Sequence, residues 1–362
     1  MKNLYFAVGL VGLVWAGCGG DTTQFGTSSG STSGMSSGAG GTGGDSGSGG
    51  SGDVGGGSAA SSSSGGNTMN VLDPNANGPY AILELADPKF TNASTGNTVP
   101  MRAFYPVGGP TPGPYPVVIV GHGFQLPASQ YTNYIKRLAT FGYVAITADF
   151  PASFFGMDNQ KNAKDLISAI EWAAANPELK ADTANVGMTG HSLGGKLALL
   201  AATLDSRVKA AILLDPVDGG GGPGGCNPPA CVDVSALMPK LQIPTGFLGE
   251  TTDASGGFQS CAPSADNYLT FYESANSPSF EATVKGANHM SFLDDVASCG
   301  GTCSLCNKAT LDNATVNAMA RAYVTAFYER YLRGNTGYDT YLTGAEAQTR
   351  YVDTNIIALN KK

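Results

Sequence analysis

The chain has 362 residues, with 28 acidic side chains against 20 Lys and Arg, and a formal net charge of −8. An acidic chain without a run of lysines and arginines lacks the electrostatic footprint of a nucleic-acid binder, and that class is excluded. Glycine and serine crowd an N-terminal tract, and the later residues are apolar enough for one sizeable core.

Residues 1–17 have the make-up of a signal peptide: one lysine, an apolar run from Leu4 to Trp15, then small residues. The run is shorter than the roughly 20 residues a membrane-spanning helix needs. Cys18 follows Ala16-Gly17 as in a bacterial lipobox, with Trp15 where leucine is commoner. Cys18 is therefore expected to carry a lipid and become the mature N-terminus, which anchors the chain to a membrane without spanning it. The expected location is the bacterial cell envelope. Residues 18–69 are a Gly/Ser/Thr tract that cannot bury enough surface to offset its ordering entropy. It reads as a disordered tether with a reach of about 40 Å. Residues 70–362 fit a single α/β domain.

Within that domain Ala81–Leu85 and Met101–Tyr105 read as early strands, and Pro116–Val120 is the continuous apolar run of a strand covered on both faces. A helix is predicted over Tyr131–Phe141 and stopped by Gly142. A strand follows at Tyr143–Ala148, then an amphipathic helix at Lys161–Ala175 ended by Asn176-Pro177. Further strands are expected at Val186–Thr189, Ala210–Leu214, Ile243–Leu248 and Phe280–Val284. A long helix closes the pattern at Leu311–Leu332, before Gly334. Strands alternating with helices predict a mostly parallel central sheet with helices on both faces, and functional residues in the loops after the strands.

The densest chemical signal is Asn185-Val-Gly-Met-Thr-Gly-His-Ser192-Leu-Gly-Gly195. An apolar strand runs into Gly190, and an apolar helical run from Lys196 to Leu204 follows. This is the strand–turn–helix context in which a G-x-S-x-G serine becomes a nucleophile. The same string occurs around Ser28 and Ser36, but those lie in the Gly/Ser tract with no strand before and no helix after. A serine hydroxyl needs a base, and the base needs an orienting carboxylate. Of the three histidines, His289 follows the last predicted strand and suits the chain order Ser, Asp, His. His191 sits beside the nucleophile and His122 in the loop after Val120; both read as packed, loop-shaping histidines. Asp215 ends one predicted strand and Asp253 follows a later one, and either suits the acid. Asp218 and Asp253 equally fit solvated loop carboxylates. The backbone N–H groups of Leu193 and Phe124 are the expected oxyanion donors. Phe124, Phe154, Phe155, Leu193 and Phe292 are candidate apolar cleft residues. No metal and no organic cofactor is required, and no obligate protein partner is evident.

Apart from Cys18, six cysteines remain: Cys226, Cys231, Cys261, Cys299, Cys303 and Cys306. An even number in an exported chain predicts disulfides, with Cys226 and Cys231 placed to staple the turn between them. No histidine accompanies these cysteines at zinc-ligand spacing.

Several motifs together carry a resemblance: Gly121-His-Gly-Phe, Gly190-His-Ser-Leu-Gly-Gly-Lys, Leu214-Asp-Pro-Val-Asp-Gly, Cys261-Ala-Pro with Phe271-Tyr-Glu, and Asn288-His-Met-Ser-Phe-Leu-Asp-Asp. In this order, over about residues 78–333, the chain resembles the chlorophyllase family of α/β-hydrolases and is similar to bacterial cutinases and polyethylene-terephthalate hydrolases. The resemblance implies a serine esterase with Ser192 as nucleophile, His289 as base and Asp215 as acid, acting on an ester substrate. A cutinase-like pattern implies Asp253 as acid and a polyester, cutin or lipid substrate. A catalytically silent envelope binding protein on the same scaffold is the further alternative. The chain departs from the family in its stretch Gly219–Gly225, its paired cysteines and its lipoprotein-like front end.

Overall fold

The computed structural model describes residues 71–152, 157–219, 229–255 and 260–362, all within one compact unit, Ser64–Lys362. The expected signal peptide and tether, Cys18, Phe154, Phe155 and Cys226 lie outside the described residues.

Among the described residues nine strands form one sheet: β1 (Ala81–Asp87), β2 (Met101–Val107), β3 (Tyr115–Gly121), β4 (Val144–Ala148), β5 (Ala181–His191), β6 (Val208–Leu214), β7 (Thr245–Glu250), β8 (Ser279–Val284) and β9 (Ile357–Lys361), in the order β1-β2-β4-β3-β5-β6-β7-β8-β9. The six central strands, β4 to β8 across the sheet, are parallel. β1 and β2 on one side and β9 on the other are antiparallel additions. The main helices are α1 (Thr132–Thr140), α2 (Asn159–Ala175), α3 (Leu193–Leu204), α4 (Tyr268–Ser274) and α5 (Asn313–Tyr331).

The alternation of side chains along each strand divides the core into two layers. Val117, Ile119, Met188, Ala211, Leu213 and Phe247 face α2, α3 and α4. Val118, Val120, Ala210, Ile212, Leu214 and Leu248 face α1 and α5. A strand apolar on both faces has to be covered on both, and the helices do this as the sequence predicts. Among the described residues no helix is long and apolar enough to cross a membrane.

Candidate active site

Ser192 stands where β5 ends and α3 begins, in the backbone conformation φ 55°, ψ −122°. A side-chain-bearing residue there is strained by about 1–3 kcal/mol. Hydrogen bonds on both sides hold it. Its N–H donates to the Leu214 carbonyl (3.0 Å), and its own carbonyl accepts from the N–H groups of Gly195 (3.0 Å) and Lys196 (3.2 Å). The turn closes so tightly that a Cβ on Gly190 would lie 2.2 Å from the Gly194 carbonyl oxygen, and one on Gly194 would lie 2.3 Å from that of Gly121. Glycine at these two positions is a steric requirement of the turn.

One strand over, Asp215 ends β6 with φ 44°, and its N–H donates to the Leu248 carbonyl at 2.6 Å. Its carboxylate is fully buried, and Oδ2 lies 2.6 Å from Nδ1 of His289. His289 opens a short helical turn after β8, and the residue capping that turn, Asn288, is tied to Ser291 by reciprocal side-chain-to-backbone bonds. Burial pushes the Asp215 carboxyl up, and the hydrogen bond and charge of His289 oppose that shift. Oδ1 of Asp215 has no hydrogen-bond partner among the described residues.

Asp253 is also fully buried, but it does not meet the imidazole ring. Its Oδ2 accepts the backbone N–H of His289 and its Oδ1 that of Asn307, each at 2.8 Å. Asp253, the other candidate for the acid, thus lies against the backbone of His289 and not against its ring. It grips the main chain of the histidine turn while Asp215 holds the ring. The solvated-loop reading fails for both aspartates it covered. The Asp218 side chain is 7 % exposed and lies 3.1 Å from the buried ammonium of Lys196. It also accepts the N–H groups of Val234 (3.1 Å) and Ser235 (2.7 Å).

Two residues that the sequence does not single out complete this frame. Glu250, at the end of β7, accepts the N–H groups of Thr252 and Asp253 and so caps the turn that presents Asp253. Burial, with the negative charge of Asp215 nearby, pushes the Glu250 carboxyl up to about 8. The other is Tyr131, whose hydroxyl accepts from the Gly123 N–H (3.1 Å) and lies 2.9 Å from Nδ1 of His191. Nε2 of His191 lies 2.8 Å from the His289 carbonyl. A carbonyl only accepts, so Nε2 carries the proton and Nδ1 accepts from Tyr131. Burial holds His191 well below its usual range, which keeps it neutral. The loop after β3, the Ser192 turn and the His289 turn are thus linked through one buried imidazole. His122 is buried as well, stacked on Phe150 at 3.9 Å, with ring nitrogens 2.9 Å from the Gly123 carbonyl and 3.0 Å from that of Phe150.

Ser192, Leu193, Phe124 and His289 open together onto a cleft of about 450 Å³. Phe292, expected in its wall, is instead fully buried, with its ring 6.2 Å from that of His191. One side of the cleft is fastened covalently. Cys261 and Cys306 form a disulfide, Cys299 and Cys303 form another, and Cys231 is disulfide-bonded too. Asp253, Cys261 and Cys306 converge within 4.8 Å, but two sulfurs bonded to each other leave no metal-binding trio.

The residues matching the Chlorophyllase family model are 72–350. Chlorophyllase-2 of Arabidopsis thaliana is 25 % identical over 266 residues, covering 68 % of this chain and 83 % of the plant protein. Chlorophyllase-1 of the same plant is 28 % identical over 238 residues, 60 % of this chain and 70 % of its own. A bis(hydroxyethyl) terephthalate hydrolase of Streptomyces coelicolor is 22 % identical over 267 residues, 73 % of this chain and 71 % of that protein. The family match spans nearly all of the described domain, and the chain belongs to the chlorophyllase family of ester hydrolases, on the α/β-hydrolase fold.

Proposed function

We propose that this chain is a serine-dependent carboxylic ester hydrolase working through an acyl-enzyme. The observation that carries the reading is the 2.6 Å bond from His289 Nδ1 to Asp215, at the wall of the same cleft that Ser192 lines. In this reading the Ser192 hydroxyl attacks the ester carbonyl carbon while Nε2 of His289 takes its proton. Asp215 fixes the ring's orientation and stabilises the imidazolium that forms. The N–H groups of Leu193 and Phe124 stabilise the oxyanion. The tetrahedral adduct collapses, the C–O bond to the alcohol breaks, and His289 returns the proton to the departing oxygen. Water then repeats the sequence on the acyl-enzyme, releasing the acid and restoring Ser192.

The apolar walls around Ser192 and the likeness to a terephthalate diester hydrolase support an apolar ester, an aromatic diester among the candidates, over a peptide. The lipobox-like sequence at Cys18 supports a place on the envelope. A fluorophosphonate probe is expected to label the protein at Ser192, and Ser192→Ala to lose both labelling and p-nitrophenyl ester hydrolysis by several orders of magnitude. Labelling elsewhere, or none, is the result expected of a silent binding protein. Expressed in a bacterium fed a clickable fatty acid, the chain is expected to incorporate it and Cys18→Ser to block it; equal incorporation by both removes the anchor.

A further inference from the structure

The cleft beside Ser192 is apolar on most sides, with Phe124, Leu126, Met157, Val217 and Leu305 in its walls. Among its described lining residues, Asp266 is the one carboxylate, and His289 is the other ionisable group. Asp266 lies in the segment between β7 and α4 and is half-buried. The fold uses its backbone: its carbonyl accepts from the Asp218 N–H at 2.7 Å and its N–H donates to the Pro263 carbonyl at 2.8 Å. Its Oδ2 faces Gly219, 3.4 Å from where a Cβ on that glycine would sit. Both residues line the cleft as well as the hollow behind it.

That hollow does not supply a counter-charge. Its described lining holds three carboxylates, Asp218, Asp233 and Asp266, against one ammonium, Lys196. The Lys196 side chain is buried and already committed, 3.1 Å from the Asp218 carboxylate and 2.7 Å from the Asp218 carbonyl. A half-buried negative charge between apolar walls acts over a longer range than it would in open water, while dissolved salt still weakens it.

We propose that Asp266 is a charge-selecting residue: the enzyme takes uncharged or cationic esters and turns away esters that carry a free carboxylate. The inference rests on the esterase reading of Ser192 and narrows its substrate class. It also fixes how far a symmetric diester is carried. Hydrolysis at Ser192 adds water across one acyl C–O bond, with the hydroxyl going to the acyl carbon and the proton to the departing alcohol. The half-ester acid so formed loses its own proton near neutral pH. On returning to the cleft it is an anion facing Asp266, and the second bond survives.

The test is kcat/KM of the full chain for dimethyl terephthalate and for monomethyl terephthalate, at a pH where the half-ester is ionised and at low and high salt. The diester is expected to be preferred by roughly tenfold or more at low salt, from like charges sharing one cleft in an intermediate dielectric. Salt is expected to narrow that preference, as is Asp266→Asn, and Asp266→Glu to restore it. Equal rates on the two esters overturn the inference and leave the esterase standing. A preference that neither salt nor Asp266→Asn alters overturns it too, because the discrimination is then one of shape. Should the variants fail to fold, the salt dependence of the wild-type protein decides. Failure to cleave either ester strikes the esterase reading itself, and this inference with it.

Discussion

Two aspartates share the support of His289, and they do it differently. Asp215 accepts the ring N–H, and Asp253 accepts the main-chain N–H of the same residue. Substituting them is expected to separate chemistry from scaffolding. Asp215→Asn keeps the shape of the side chain but reverses what Nδ1 needs from it, and turnover is expected to fall by up to about 10⁴-fold with the fold intact. Asp253→Ala leaves the buried N–H of His289 without an acceptor, at a cost of about 1–3 kcal/mol, and the half-buried N–H of Asn307 without its own at a smaller cost. It is expected to lower the urea midpoint while reducing turnover far less than Asp215→Asn. Measuring turnover and urea unfolding on both variants checks this; the opposite ranking in turnover would assign the acid role to Asp253. That Ser192 and His289 would come to one cleft was legible in the sequence, because each sits in a local pattern, a glycine-flanked turn and a turn after the last parallel strand. The division of labour between the aspartates was not legible, because it depends on which way two side chains point from adjacent strand ends. Tyr131 escaped notice because a tyrosine at the start of a helix has the same pattern whether it fills space or bridges a glycine and a histidine.

Among the elements, the join between α3 and the segment after β6 is held by the buried Lys196–Asp218 pair, which also satisfies the N–H groups of Val234 and Ser235. Removing one member of a buried pair strands the other charge, and about 3–5 kcal/mol is the expected loss for Asp218→Ala in equilibrium unfolding. Asp218→Asn is expected to lose less, since it still accepts hydrogen bonds. Loss of less than about 1 kcal/mol in the alanine variant would mean that Lys196 finds solvent by another route. The parallel strands and long helices were readable from hydrophobic period alone, since each is long and covered by a partner. α4, with seven residues, and β9, with five, were not. Each is too short to establish a period, and β9 forms on the antiparallel edge because β8 offers it unpaired backbone.

For the molecule as a whole, the buried Glu250 ties stability to pH. With its carboxyl pushed up to about 8 from an ordinary value near 4.5, the folded chain keeps a proton that the unfolded chain has released between those two pH values. Stability from this group therefore falls as pH rises through that window. Glu250→Gln has no such proton, and its stability relative to wild type is expected to rise by at most about 1.4 kcal/mol per pH unit from about pH 5 to about pH 8. Urea unfolding of both proteins across that range measures it, and a difference independent of pH would place the titration of Glu250 at its ordinary value. The sheet order has its own consequence. Ser192, Asp215, the Glu250–Asp253 turn and His289 follow four neighbouring parallel strands, β5 to β8, whose spacing backbone hydrogen bonding keeps near 4.8 Å. The strands work like the teeth of a comb: whatever is tied between the tips can be lengthened or swapped without altering the gaps. On such a plan the loops can be rewritten to admit another ester, while the gaps between Ser192, Asp215 and His289 stay set by the sheet beneath them.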